Sequence, residues 1–418
     1  MIKASDIFGE NRAREGRISA KNALTTIPAE FTDNILDILS TPIYAYQSYP
    51  IISNGVAVTK YQQLLRSEIP SNAQIVQPNV AINSQDYLWS FGSNTSGQLG
   101  NNTTTDSSTP VSVVGDKVFN QVVSNMSTTV ATTKDGIAWA WGDNTYGNLG
   151  NNTTTNQSSP TSIVGDRQFV SISCVNNTYV GLDVSGIAWA WGYNANGECG
   201  DNTTTNRSSP VSIAGGRSFV AIQGTLGIDA NNRCLGWGLN SSGQLGDATT
   251  TNKSSPVYLA GIGYTAFNTR IVKSENFGLI LTSDGYCYSF GSNTYGSLGD
   301  NTTANKSSPV GVLVNSKLVQ ISAGDNHALA LDENGIIWAW GRNNVGQLGT
   351  KTITDLSLPV TINTGVNKFI QIAAEKDSST ATDLDGNLWV WGSLATGGYS
   401  SNPVSVQGGL KARLRKIY

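Results

Sequence analysis

The sequence predicts an all-β chain: a seven-bladed β-propeller of four-stranded blades, preceded by a mostly irregular or helical N-terminal extension. Two observations predict it. An aromatic-glycine pair recurs at Phe91-Gly92, Trp141-Gly142, Trp191-Gly192, Trp237-Gly238, Phe290-Gly291, Trp340-Gly341 and Trp391-Gly392, in steps of 50, 50, 46, 53, 50 and 51 residues. All ten tryptophans fall in or just before these pairs. Such a period marks a repeat architecture. A small sheet cannot bury both faces alone, so the units must pack sheet against sheet around an axis.

One unit, residues 119–165, supplies the elements in order. FNQVVS and TVATT read as strands, and Lys134-Asp135-Gly136 as a turn. IAWAWG follows, with alternate residues facing opposite sides of a sheet. The glycine-rich DNTYGNLG, the polar NNTTTNQSSP and a last strand, TSIV, complete the unit. Gly136, Gly285, Gly335 and Gly386 follow Asp or Asn, as two-residue hairpin turns with positive φ require. Gly142 and its equivalents follow a bulky aromatic, where a missing Cβ lets neighbouring backbone come close. Pro110, Pro160, Pro210, Pro256, Pro309, Pro359 and Pro403 each precede the last strand, a position that loses no ladder donor.

The segments GSNTSGQLGNNTTTDSSTPVSVVG and IIWAWGRNNVGQLGT carry a resemblance. Their W-G-x-N-x-x-G-x-L-G pattern is similar to that of the regulator of chromosome condensation repeat family, from Asn79 to the C-terminus. That resemblance implies a seven-bladed propeller. It also brings to mind nucleotide exchange on a small GTPase, through a charged face and an inserted wedge. No wedge interrupts these uniform blades, and histidines that recur in the family are missing here. Thr128, Thr178, Gly224, Phe277 and Ser378 stand at their places, and only His327 remains. His327 is expected to be a structural blade residue.

Charged residues make up 13% of the 418, about half the usual share, with a net charge of −3. That gives no basic footprint for nucleic acid. No run of 18 apolar residues predicts membrane insertion. The cysteines, Cys174, Cys199, Cys234 and Cys287, have neither zinc nor redox spacing, and a Cys199–Cys234 pair is left open. With one histidine, no phosphate loop and no acidic calcium loop, the chain is expected to be non-enzymatic, with no cofactor, metal or catalytic residue.

The expected domains are an anchor arm, 1–70, and a propeller, 71–418, closed by a strand at about 410–418. Segments 32–40 and 59–69 read as short helices, and Arg12, Arg14, Arg17, Tyr44 and Tyr46 as anchor contacts. Five near-identical loops, beginning at Asn101, Asn151, Asp201, Asp247 and Asp300, are expected to form a ring of amides and hydroxyls. The candidate binding residues there are Asn102, Thr104, Asn152, Thr154, Asn202, Thr204, Thr250 and Asn301, with Tyr146, Tyr193 and Tyr295 nearby. Weak charge, uniform blades and a leading arm are similar to propellers carried on tailed bacteriophage virions. The expected function is therefore a structural or binding module, made soluble in the host cytoplasm. Its arm would dock on other virion proteins, and its loops on a host-surface glycan or protein. The alternative is a cytoplasmic interaction hub or exchange-factor-like protein.

Overall fold

In the computed structural model, the described residues are 79–405 without 83–87, 126, 262–269, 363–364, 366–367, 386 and 394–397. They form the predicted all-β, seven-bladed propeller, with no helix among them. The third blade shows the plan: Phe169–Val175 innermost, then Thr178–Asp183, Ala188–Gly192 and Arg207–Ser212, each antiparallel to the last. Six sheets have four strands in this order. The first has three described strands, Asn79–Ile82, Leu88–Gly92 and Ser107–Ser112. By register Asn79–Ile82 takes the second place in its blade, since Asn79 pairs with Phe91 as Thr129 pairs with Trp141.

The A-W-A-W alternation explains the packing. Successive strand residues point to opposite faces, so alanines line one side of a blade and tryptophans the other. Val130, Ala138, Ala140 and Leu149 of the second blade meet Phe169, Ile172, Tyr179 and Trp191 of the third in one buried cluster. Ala188 and Ala190 of the third in turn meet Phe219 and Trp237 of the fourth. The core is thus a series of such clusters, each shared by two consecutive blades, with large side chains seated on small ones. Each buried indole also donates backwards across the boundary, Trp141 Nε1 to Gln98 O at 3.0 Å and Trp191 Nε1 to Asn148 O at 2.9 Å.

Three local expectations change. The hairpin at Lys134-Asp135-Gly136 has three residues between Thr133 and Ile137, not two: Thr133 N donates to Ile137 O and Gly136 N to Thr133 O, with Gly136 at φ 82°. This is a turn closed by a left-handed glycine. The last strand begins earlier than TSIV, at Gln157–Ser162, because part of the polar run pairs with Ala138–Gly142. Pro160, Pro210, Pro256, Pro309, Pro359 and Pro403 therefore lie inside the outer strands, beside a register shift, where an edge strand tolerates a missing donor. Gly142 behaves as expected: at φ 103°, an added Cβ would come within 2.2 Å of Ser127 O. Residues 1–78 and 406–418, with the expected helices, arm contacts and closing strand, lie outside the described residues.

Candidate binding face

Among the described residues, two sets of loops meet at one end of the second, third, fifth, sixth and seventh blades. The turn joining the first two strands touches the long loop after the third, as when Asp143 N donates to Ser127 O at 2.7 Å and Tyr193 N to Asn177 O at 3.0 Å. This end is called the loop face. The opposite end, which carries the Lys134–Gly136 type of hairpin, is the hairpin face.

The long loops are built around a buried asparagine. Asn144 is fully buried; its Nδ2 donates to Asn151 Oδ1, Thr153 O and Thr155 O, and its Oδ1 accepts from Leu149 N at 2.9 Å. Asn94, Asn194, Asn240, Asn293 and Asn343 repeat the arrangement. The residue after the loop's first then turns left-handed, at φ 63° for Asn102, Asn152 and Asn301 and φ 67° for Asn202. Its amide reaches the next blade: Asn102 N to Ser158 O at 2.8 Å, Asn152 N to Ser208 O at 2.7 Å, Asn202 N to Ser254 O at 2.7 Å and Asn301 N to Ser357 O at 3.0 Å. These loops are straps between blades. The side chains of Asn102, Thr104, Asn152, Thr154, Asn202, Thr204, Thr250 and Asn301 are exposed on them. In the third to fifth blades the loop's first residue is an aspartate that pairs with a cation on the outer strand: Asp201 with Arg207, Asp247 with Lys253 and Asp300 with Lys306.

The predicted tyrosines are half-buried at blade boundaries. Tyr146 and Tyr193 meet edge to face, 5.1 Å between centroids, and Arg342 lies over Tyr295 at 5.1 Å. The anchor residues Arg12, Arg14, Arg17, Tyr44 and Tyr46 lie outside the described residues.

Sequence reasoning missed a charged group nearer the axis, on the turns between first and second strands. Blades five to seven supply Lys273, Glu275, Asp325, Glu375, Lys376 and Asp377 there, whereas the second to fourth supply Asn125, Asn176, Asn177 and Gly224. Lys273 is buried and donates to the carbonyl of Glu275 at 3.2 Å; burial pulls its ammonium down to about 7, against the opposing pull of Glu275. Burial raises the carboxyls of Asp325 and Glu375, partly offset by Lys376. Arg342 Nη1 lies 4.0 Å from Asp377 Oδ1, which also accepts from Gln347 Nε2 at 3.0 Å. Cys174 of the third blade is pushed up to about 12, first by burial and then by Glu375 of the seventh. The signal in the sequence was there, but only as charges spread over a hundred residues at equivalent turn positions.

His327 is fully buried, its Nε2 2.8 Å from Ser379 Oγ, which itself donates to Gln347 O. Its Nδ1 has no hydrogen-bond partner, so no carboxylate orients the ring as a catalytic triad needs. Burial lowers its pKa to about 4. Thr128 and Thr178, at the same register, instead donate to Asp143 O and Tyr193 O. Cys199 carries a free thiol, so no Cys199–Cys234 bridge forms. Among the described residues no three His, Cys, Asp or Glu side chains are grouped to hold a metal.

The fold is a seven-bladed β-propeller, and part of its sequence matches a known repeat. The family profile, regulator of chromosome condensation (RCC1) repeat, matches residues 85–131, 135–180, 284–331 and 334–381, and a second profile of the repeat matches 318–347. No curated protein matches the chain. Among solved structures, Prp20p from Saccharomyces cerevisiae aligns with a TM-score of 0.64 at 20% identity, over 83% of this chain and 89% of that one. The yeast RCC1 (Prp20) bound to Kap60 aligns with a TM-score of 0.66 at 18% identity, over 88% and 91%. Human WBSCR16 aligns with a TM-score of 0.60 at 22% identity, over 69% and 79%. At these identities the likeness is one of fold. Prp20p is described by its binding to Gsp1p and histones.

Proposed function

We propose that this chain is a non-enzymatic protein-binding propeller that engages its partner through the loop face, and that residues 1–70 carry it on a bacteriophage virion. One observation supports the loop face above all. Its charged turns come from blades five to seven, while the other half offers neutral amides and the Tyr146–Tyr193 pair. Charges set orientation and encounter rate, and half-buried tyrosines make rigid contact area. The exposed Asn and Thr side chains of the straps surround this centre and suit a host-surface glycan or protein. The weakly charged, uniform rim supports the virion setting.

The test is capture of particle proteins by the tagged full chain, beside a Tyr193→Ala, Asp377→Lys variant that keeps the fold. Loss of capture in the variant is expected, together with the chain's presence in purified particles. Equal capture would sink the loop-face reading, and absence from particles the virion reading. A second reading rests on the likeness to Prp20p: a cytoplasmic protein binder acting on a small GTPase. Faster release of labelled GDP from a GTPase by the full chain would favour it.

A further inference from the structure

The hairpin face carries a recurring pair, an indole donating to an acid, and the second blade keeps the indole without the acid. In the third blade, Arg167 lies over the Trp189 ring at 3.7 Å, and Trp189 Nε1 donates to Asp183 Oδ2 at 2.8 Å. The sixth and seventh blades keep the indole and the acid: Trp338 donates to Asp332 at 3.2 Å and Trp389 to Asp383 at 3.0 Å. The second blade keeps the cation and the indole, with Lys117 Nζ 3.9 Å from the Trp139 centroid. Its acid is replaced by Thr133, whose shorter side chain turns to Asp135 and to Ile137 O. Trp139 Nε1 is left without an acceptor among the described residues. A shallow concavity of about 400 Å³ opens at this point, lined by Lys117, Val118, Thr133, Lys134, Asp135, Ile137 and Trp139.

We propose that this concavity binds an acidic peptide segment of a partner protein, whose Asp or Glu carboxylate takes the place held by Asp183, Asp332 and Asp383 in the other blades. The site offers that carboxylate an indole donor and the Lys117 ammonium, a charge-assisted pair stronger than neutral contacts. A peptide fits the remaining wall. Ile137 is 42% exposed beside Val118, so an apolar neighbour of the acid has a surface to cover. The fifth blade shows that threonine alone does not make the site. Thr282 bonds to Asp284 there as Thr133 does to Asp135, but Tyr288 stands in place of the tryptophan. The proposal deepens the reading of the chain as a protein binder and adds a second contact on the face opposite the loops.

The experiment uses the full chain with ¹⁵N-labelled tryptophan indoles, the Trp139 signal being assigned with Trp139→Phe. The probes are a capped Leu-Asp-Val tripeptide, its Leu-Asn-Val counterpart, and glucuronic acid. The aspartate peptide is expected to move the Trp139 signal in a saturable way, while the other two leave it in place. Thr133→Asp, which supplies the carboxylate internally, is expected to move the signal without peptide and to weaken peptide binding by about tenfold or more. Thr282→Asp should change neither. A still Trp139 signal with the aspartate peptide, an equal response to the asparagine peptide, or a response to glucuronic acid alone would each overturn the proposal. Partner capture through the loop face, measured separately, stands or falls independently of this result.

Discussion

His327 Nε2 is held against Ser379, and the ring is sealed from water. Burial disfavours the imidazolium, so the folded pKa sits near 4, below the ordinary 6.5. The unfolded chain therefore takes up this proton first as the solution is acidified. Stability contributed by the neutral ring is complete above pH 6.5 and is lost as pH falls toward 4. The amount is on the order of 3 kcal/mol for a fully buried ring. Asp325 and Glu375, with raised pKa values, act in the opposite sense. The informative quantity is thus the difference between wild type and His327→Gln in urea unfolding at neutral and acidic pH. Wild type is expected to lose more stability on acidification; equal losses would contradict the account. The structural role of this histidine was readable, because its aligned positions hold Thr, Gly, Phe and Ser, none of which can replace an imidazole as a proton carrier.

At the scale of the element, the strap loop is the unit to test. Asn194 is fully buried, donates to Asp201, Thr203 and Thr205, and accepts from Cys199 N at 2.7 Å. Asn194→Ala leaves those carbonyls and that amide without the side chain that joins them. A loss of about 2 kcal/mol is expected, typical of unmade buried hydrogen bonds. Faster hydrogen exchange should appear at the Asn202 amide, which loses its fixed approach to Ser254 O. Unchanged exchange there would mean the strap is held by other contacts. The strands were legible because A-W-A-W alternation is written in side chains. The straps were not, because a backbone amide bonding to the next blade leaves no residue signature. The turn at Gly136 was misjudged by one residue for a similar reason: both turn types demand a left-handed glycine in the same place.

At the scale of the whole molecule, seven aromatic-glycine pairs at a near-constant step made the blade count legible. The axial charges were not, because the turns that bring Glu275, Asp325 and Asp377 near one another belong to different blades. The expectation that residues 410–418 complete the first blade leads to a measurement. Truncation after Ala412 is expected to lower the melting temperature by several degrees, as loss of edge pairing does in a closed sheet ring. An unchanged melting curve would argue that another segment serves.

The straps have a polarity. Each runs from one blade to its successor, from Asn102 to Ser158 and, at the last described joint, from Lys351 to Ser401. Pro403 stands eleven positions after Gly392, where Pro160 stands eighteen after Gly142, so the seventh repeat is too short in sequence for a strap loop of the same length. The joint after the seventh blade is therefore expected to differ from the others, at a single meridian. Heat, force or a protease is expected to find that meridian first and to unwind the circle from it, hook after hook.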